Sequence, residues 1–430
     1  MKNRVDRVRF MTALGAAASL GLVVLCLFAP PVLASGERAG ASAGAPIDSS
    51  LSNPVTPSSA AAQDSRAGLI AAEQQAKAGH LGREGPSALE NWVERVENSP
   101  LVTGRSGGYP WLGSVYHGTS LGVGAGYLQL LPRGAHVSGV AAVSLQASTL
   151  IKAHAKAPDI GHGRATVELD GRQAVAKDLY FYGLGPNSPL GNRLKYDLRP
   201  TEGSATAAVN PVRWIVLSGG YRYLDLRTTE HVPGPRIEAP ALGERLAYDI
   251  VQATIAIDWR SAPDYSTGGG FQRFTWTRYN EARDRPYSFE EFEYEIIQLL
   301  PILREQWVLA AHGLITHTKP IDEGGVPFVL MPILGNGETL RGFDTRRFAD
   351  RNRLLLSGEY RWRPSRHIDM AVFVDAGKVE PRLEDLRLKK LESDVGIGIR
   401  FHSPTFVFLR AEAARSREGW QLILSSGKAF

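Results

Sequence analysis

From about residue 108 to the C-terminus, apolar and polar residues alternate in segments of about ten, separated by turn residues. That pattern constrains the chain more than any other feature, because a period of two belongs to strands and not to helices. In 353–363, Leu354, Leu356, Tyr360 and Trp362 fall on one face, and Arg353, Ser357, Glu359, Arg361 and Arg363 on the other. In 287–300, Phe292, Tyr294 and Ile296 oppose Glu291, Glu293 and Glu295. In 394–401, Val395, Ile397, Ile399 and Phe401 oppose Asp394, Gly396, Gly398 and Arg400. Pro132-Arg133-Gly134, Asp170-Gly171 and Ser365-Arg366 read as turns between such segments. Roughly sixteen strands are expected, an even number that lets an up-and-down barrel close. A soluble sandwich and a barrel in lipid share this period, with opposite faces buried, so the alternation alone leaves both open.

The N-terminus argues for the membrane. Lys2, Arg4, Arg7 and Arg9 form a basic region, Met11 to Phe28 is apolar, and Ala29-Pro30-Pro31 breaks it before Val32-Leu33-Ala34. This is the layout of a secretory signal peptide cleaved near Ala34, with an uncleaved anchor helix as the competing reading. Beyond it no apolar run reaches the ~18 residues of a spanning helix. A second membrane crossing therefore requires a closed barrel, since only helices and barrels satisfy every backbone group in lipid. The last segment, from Trp420 to Phe430, places Trp420, Leu422, Leu424 and Phe430 on one face. It ends on the aromatic, as outer-membrane barrels commonly do. The expected product is an all-β, transmembrane antiparallel barrel over 108–430 in an outer membrane, with the N-terminal segment periplasmic.

The expected domain order is a signal peptide (1–34), a flexible Ala/Ser/Gly/Pro-rich periplasmic linker (35–85), a short amphipathic helix with its connection (86–107), and the barrel (108–430). Ser87 to Glu90 has the spacing of a capping box, and Leu89, Trp92, Val93 and Val96 follow at helical spacing. That helix plugs the barrel, docks a periplasmic partner, or simply packs against the barrel rim, the last being the favoured expectation.

Composition excludes several classes of chemistry. The only cysteine, Cys26, lies in the signal segment, so disulfides and thiol catalysis are not expected in the mature chain. The net charge of +5 falls to about +2 once residues 1–34 are removed, which gives no basis for nucleic-acid binding. The ten histidines show no metal-binding spacing, and no metal or other cofactor is expected. Gly118-Thr119-Ser120-Leu121-Gly122 matches a nucleophile elbow. The glycine-rich segment after it reads as a strand, where an elbow needs a helix, so catalysis at Ser120 is not expected. Gly183 to Asn187 likewise reads as a turn and not a phosphate loop. The Glu291, Glu293, Glu295 row reads as a solvated lumen wall, or else a cation path.

The most specific series lies in 333–401. Leu334-Gly335-Asn336-Gly337-Glu338-Thr339-Leu340-Arg341-Gly342-Phe343 leads to Arg346-Arg347-Phe348 and Asp350-Arg351-Asn352. Glu359-Tyr360-Arg361, Phe373-Val374-Asp375-Ala376-Gly377 and Gly396-Ile397-Gly398-Ile399-Arg400 follow in order. The series resembles the bacterial surface antigen family, the BamA-like superfamily of outer-membrane assembly and translocation barrels. The resemblance implies that Leu340-Arg341-Gly342-Phe343 is the tip of a long loop between the eleventh and twelfth strands. It places Phe373-x-Asp375-x-Gly377 on the thirteenth strand and Ser403 to Phe430 on the last two. It extends more loosely upstream through Leu179 to Gly185. Well-known members carry periplasmic POTRA domains. The roughly 70 residues between signal and first strand here lack an α/β pattern, so a stand-alone barrel is expected.

The chemistry of those residues leads to a further expectation. A buried arginine needs a partner, and its planar fork suits carboxylates. Glu359 and Asp375 both lie on the charged faces of their segments. The 319–348 loop is expected to enter the lumen, with Arg341 bonded to Asp375 and Glu359, Gly342 permitting close approach and Phe343 packed inside. The alternative leaves Arg341 on a solvated external loop.

For function, the resemblance implies insertion or transport of proteins or lipids at the outer membrane, with a lateral seam between the first and last strands. Expected partners are outer-membrane lipids, the host barrel-assembly machinery for the chain's own insertion, and a protein or lipid substrate. A passive solute pore and a lipase-type hydrolase are the competing functions.

Overall fold

The computed structural model describes residues 106–425, apart from 162, 192, 232–236, 263–264, 303–305, 366 and 403–406. The expected signal peptide, linker and amphipathic helix, and the terminal Phe430, lie outside the described residues.

Sixteen strands form one antiparallel sheet in sequence order, curled into a nearly closed barrel. They are β1 (Gly107–Ser114), β2 (Leu121–Leu130), β3 (His136–Ser144), β4 (Thr149–Ile160), β5 (Ala165–Phe181), β6 (Leu194–Val212), β7 (Ile215–Glu230) and β8 (Arg245–Asp258). The second half contains β9 (Gly269–Glu281), β10 (Phe289–Pro301), β11 (Trp307–Pro320), β14 (Asn352–Ser365), β15 (Ile368–Glu380), β16 (Glu392–His402), β17 (Val407–Ser416) and β18 (Gly419–Ser425). A two-stranded ladder, β12 (Ile333–Leu334) with β13 (Phe348–Ala349), lies within the long connection between β11 and β14. β11 and β14 are thus the eleventh and twelfth strands of the sheet, and β15, with Phe373 and Asp375, is the thirteenth. Among the described residues β1 and β18 share no ladder, so they form the two edges of the sheet.

The alternation sorts the faces as lipid requires. On β16, Val395 and Ile397 are exposed, whereas Asp394 and Arg400, on the opposite face, are buried. On β18, Trp420, Leu422 and Leu424 are 66%, 74% and 64% exposed. An apolar outer face with a polar inner one is the inverse of a water-soluble sheet. Among the described residues no helix is long and apolar enough to cross a membrane.

The turn at Pro132–Gly134 forms as expected, with Arg133 and Gly134 both left-handed. Asp170-Gly171 does not turn the chain. It lies inside β5, where Asp170 pairs with His154 on one side and Ser204 on the other. Ladder hydrogen bonds on both flanks, with the Asp170 to His154 side-chain contact at 2.9 Å, outweigh the local turn preference of the pair. Ser365 ends β14, and Arg366 after it lies outside the described residues.

Arg213-Trp214 turns the chain at one end of the barrel, and the three longest connections, 182–193, 231–244 and 321–351, lie at the other. The long-loop end holds the largest apolar cluster. Leu179, Phe181, Tyr196, Leu198, Leu246 and Tyr248, from the inward faces of β5, β6 and β8, surround Phe328 of the 321–351 loop. Phe328 lies 4.8 Å from the Phe181 ring and 4.9 Å from the Tyr196 ring.

Candidate functional site: the inward loop and its ionic cluster

The 321–351 loop carries two anchors of opposite chemistry. Its first part is the apolar anchor at Phe328. Its second part carries Leu340, Arg341, Gly342 and Phe343 onto the inward faces of β14 to β17. Asp375 and Glu359 reach the same point from β15 and β14 because both occupy inward positions of the alternation.

Arg341 is only 2% exposed. Its Nε donates to Asp375 Oδ2 at 2.7 Å and its Nη2 to Asp375 Oδ1 at 2.9 Å, a bidentate fork. Its Nη1 donates to Glu359 Oε1 at 2.7 Å and to Glu412 Oε1 at 3.4 Å. The guanidinium also lies 3.4 Å from the centre of the Phe373 ring, a cation–π contact. Burial alone would favour the neutral form, but Asp375, Glu359 and Glu412 hold the group above the ordinary arginine range. Arg341 therefore stays charged at any accessible pH.

Neighbouring charges extend the cluster. Arg400 Nη2 donates to Glu359 at 2.6 Å and to Glu412 at 3.1 Å, and Arg361 Nε donates to Glu359 at 2.7 Å. Arg410 donates to the Gly337 carbonyl at 2.7 Å, tying the loop to β17. Every strand from β14 to β17 thus contributes a charge to one buried site.

Gly342 permits the approach. A Cβ there would lie 2.5 Å from Asp394 Cβ and 3.1 Å from Ser416 Cβ. Leu340 and Phe343 pack with Leu334, Phe348, Leu355 and Val379 in a separate apolar cluster under the loop. Past the tip, Arg347 reaches in two directions, with its Nη1 donating to Ser188 at 2.9 Å and its Nη2 lying 2.8 Å from Glu418. Gln421 of β18 donates to Asp344 at 2.8 Å, so the edge strand itself is bonded to the loop.

Of the residues singled out from sequence, the structure brings Leu340, Arg341, Gly342, Phe343, Glu359 and Asp375 together. It places Trp420, Leu422 and Leu424 elsewhere, on the outer face of β18. Sequence reasoning missed Glu412, Arg410 and Phe373 as partners. Their inward positions were available from the alternation, but nothing local marks them as neighbours of residue 341. It also missed Tyr265, in the β8–β9 turn. Its hydroxyl lies 2.7 Å from Asp369, 3.1 Å from His402 and 2.6 Å from Arg363.

The other motifs take structural positions. Ser120 ends a turn that leads directly into β2, a strand–turn–strand context and not an elbow. The Gly183–Asn187 segment is a loop, and Gly185 N–H donates to the Ala349 carbonyl at 3.0 Å. The glutamate row faces inward against arginines: Arg273 lies 3.4 Å from Glu293 and 2.7 Å from Glu295, and Arg353 lies 3.0 Å from Glu293. Asp178, Asp197 and His231 converge closely enough to hold a cation, but Lys195 already lies 2.9 Å from Asp178.

Residues 248–417, which contain the loop and its cluster, match the family model of the Omp85 superfamily domain. Over these residues the chain is similar to that superfamily, and its barrel has a BamA-like fold. The solved structure of BamA from Haemophilus ducreyi lacking POTRA domains 1–3 has the same fold, with a TM-score of 0.54 and 16% identity. The match covers 74% of this chain and 69% of that one. CdiB from Escherichia coli matches with a TM-score of 0.50 and 11% identity, over 75% of this chain and 61% of CdiB. No curated protein matches the chain in sequence. An Omp85-like barrel implies an outer-membrane location.

Proposed function

We propose that this Omp85-like barrel assists the insertion or transport of proteins or lipids at the outer membrane, with the 321–351 loop acting as a latch fastened by Arg341. One observation carries the reading: the loop joins the inward faces of β14, β15 and β17 through Arg341 and also bonds the edge strand β18 through Gln421. Whatever moves this loop also moves the wall beside the edge of the sheet. The edges β1 and β18, which share no ladder among the described residues, are where a lateral seam would open, and β18 is bonded to the loop at Gln421.

The test is an assay of protein insertion and lipid transfer in vesicles containing the purified full chain, wild type against Arg341→Ala. Boiled and unboiled samples are compared by gel mobility to establish a folded barrel. Wild type is expected to accelerate insertion or transfer over protein-free vesicles, and the variant to differ from it while still migrating as a folded barrel. No acceleration by a folded wild-type barrel would end this reading. A large, steady single-channel current would replace it with a passive pore.

A further inference from the structure

The outward face of the barrel carries a row of three arginines across neighbouring strands. Arg199 of β6 is the register partner of Arg227 of β7, which is the partner of Arg245 of β8. All three are exposed. Adjacent strands lie about 4.8 Å apart, so three positive charges stand within roughly 10 Å. Like charges directly opposite one another destabilise a sheet.

The structure only partly relieves that repulsion. Asp225 is shared between Arg245 Nε, at 3.0 Å, and Arg283 Nη2, at 2.6 Å. Among the described residues, the side chains of Arg199 and Arg227 have no ion pair or hydrogen bond. Asp225 thus neutralises only Arg245 and Arg283, and Arg199 and Arg227 have no carboxylate partner among the described residues.

The position of the row identifies what approaches it. On β7 the outward residues Leu217, Tyr221 and Tyr223 are all exposed, and Arg227 follows on the same face toward the long loops. On β8, Ile255 and Val251 are exposed, and Arg245 follows likewise. The row therefore stands at the loop-end border of the lipid-facing band, beyond its aromatic residues. That is headgroup depth in a membrane barrel. We propose that the Arg199–Arg227–Arg245 row binds the phosphate groups of anionic lipids in the leaflet at the barrel's long-loop end.

Phosphate chemistry fits the geometry. A phosphate oxygen pair accepts two N–H bonds from one guanidinium fork, and a single phosphate can be shared by neighbouring forks. One headgroup between Arg199 and Arg227 converts a repulsive pair into two attractive ones. Continuity with the lipid-facing band selects a membrane lipid over a soluble anion.

The test uses the purified full chain in mixed micelles of phosphatidylcholine and phosphatidic acid, with retained lipids counted by native mass spectrometry. Wild type should retain phosphatidic acid over phosphatidylcholine. The Arg199→Gln/Arg227→Gln variant should lose retention by about five-fold for each arginine, the equivalent of about 1 kcal/mol per basic residue near an anionic surface. Arg382→Gln, at an exposed arginine of the β15–β16 loop, should leave retention unchanged. Retention by wild type should also weaken as salt is raised, a measurement that needs no variant. Equal retention by wild type and the double variant, or retention indifferent to salt, would overturn the proposal. Displacement of the lipid by inorganic phosphate at equal concentration would overturn the lipid assignment and leave a free-phosphate site.

Discussion

At the scale of single residues, Arg341 concentrates the energetics. Its fork satisfies Asp375 and a third nitrogen satisfies Glu359, with all three side chains buried. Removing one partner of a buried ion pair costs about 3–5 kcal/mol, because the remaining charges are left uncompensated. Arg341→Ala should therefore lower the temperature at which the folded band disappears in unboiled gels. Arg341→Lys keeps the charge but loses the planar fork, and should fall between alanine and wild type. Gly342→Ala tests a different force. Its Cβ would meet Asp394 at 2.5 Å, well inside van der Waals contact, so the loop tip or β16 has to shift. The variant should expose the tip, read as faster trypsin cleavage after Arg341, Arg346 or Arg347, while Gly358→Ala, whose Cβ would lie 3.6 Å from Val374 Cγ1, should not.

At the scale of elements, the 321–351 loop has two independent anchors, one apolar and one ionic. The apolar anchor centres on Phe328, which is fully buried among β5, β6 and β8 side chains. Phe328→Ala should cost about 3–5 kcal/mol of loop docking, the usual range for emptying a buried aromatic site. The two anchors should respond differently to solvent. Moderate urea should weaken the apolar anchor first, whereas 1 M salt should affect neither, since the Arg341 cluster is too buried for ions to screen. Hydrogen exchange of 326–331 and 338–347, followed separately, distinguishes the two. Simultaneous opening of both segments in urea would contradict independent anchoring. Element boundaries also show where local signals fail. Pro132-Arg133-Gly134 turns the chain because proline and left-handed residues leave no ladder to continue. Asp170-Gly171 has equal turn preference, yet both its neighbours supply ladder partners, and the strand runs through.

At the scale of the whole molecule, the inward glutamates meet arginines across the wall and the loop fills the long-loop end, so ion flow should be small. Planar-bilayer recordings of wild type are expected to show low, unsteady conductance, and Phe328→Ala should raise it by releasing the apolar anchor. An unchanged, low current in a variant whose loop is demonstrably protease-accessible would mean that another element closes the lumen. Tyr265, bridging from the β8–β9 turn to Asp369, His402 and Arg363, is the element to test next.

The sequence by itself determined that the chain forms strands, and roughly how many, because a period of two is a local property that survives any tertiary arrangement, whereas the alternation alone left open which face of each strand meets lipid. It also marked Arg341, Glu359 and Asp375 as charges in need of partners, since inward charge in a lipid-embedded wall is costly unless paired. Glu412 and Arg410 were not legible in this way. They lie 71 and 69 positions from Arg341, and only the curl of the sheet and the fold of the loop make them neighbours. The arginine row has the same origin. Arg199, Arg227 and Arg245 are unremarkable one at a time, and register across three strands aligns them. Tertiary structure decided which charges meet, because contact between distant segments depends on strand register and loop path, and neither is encoded in any local window.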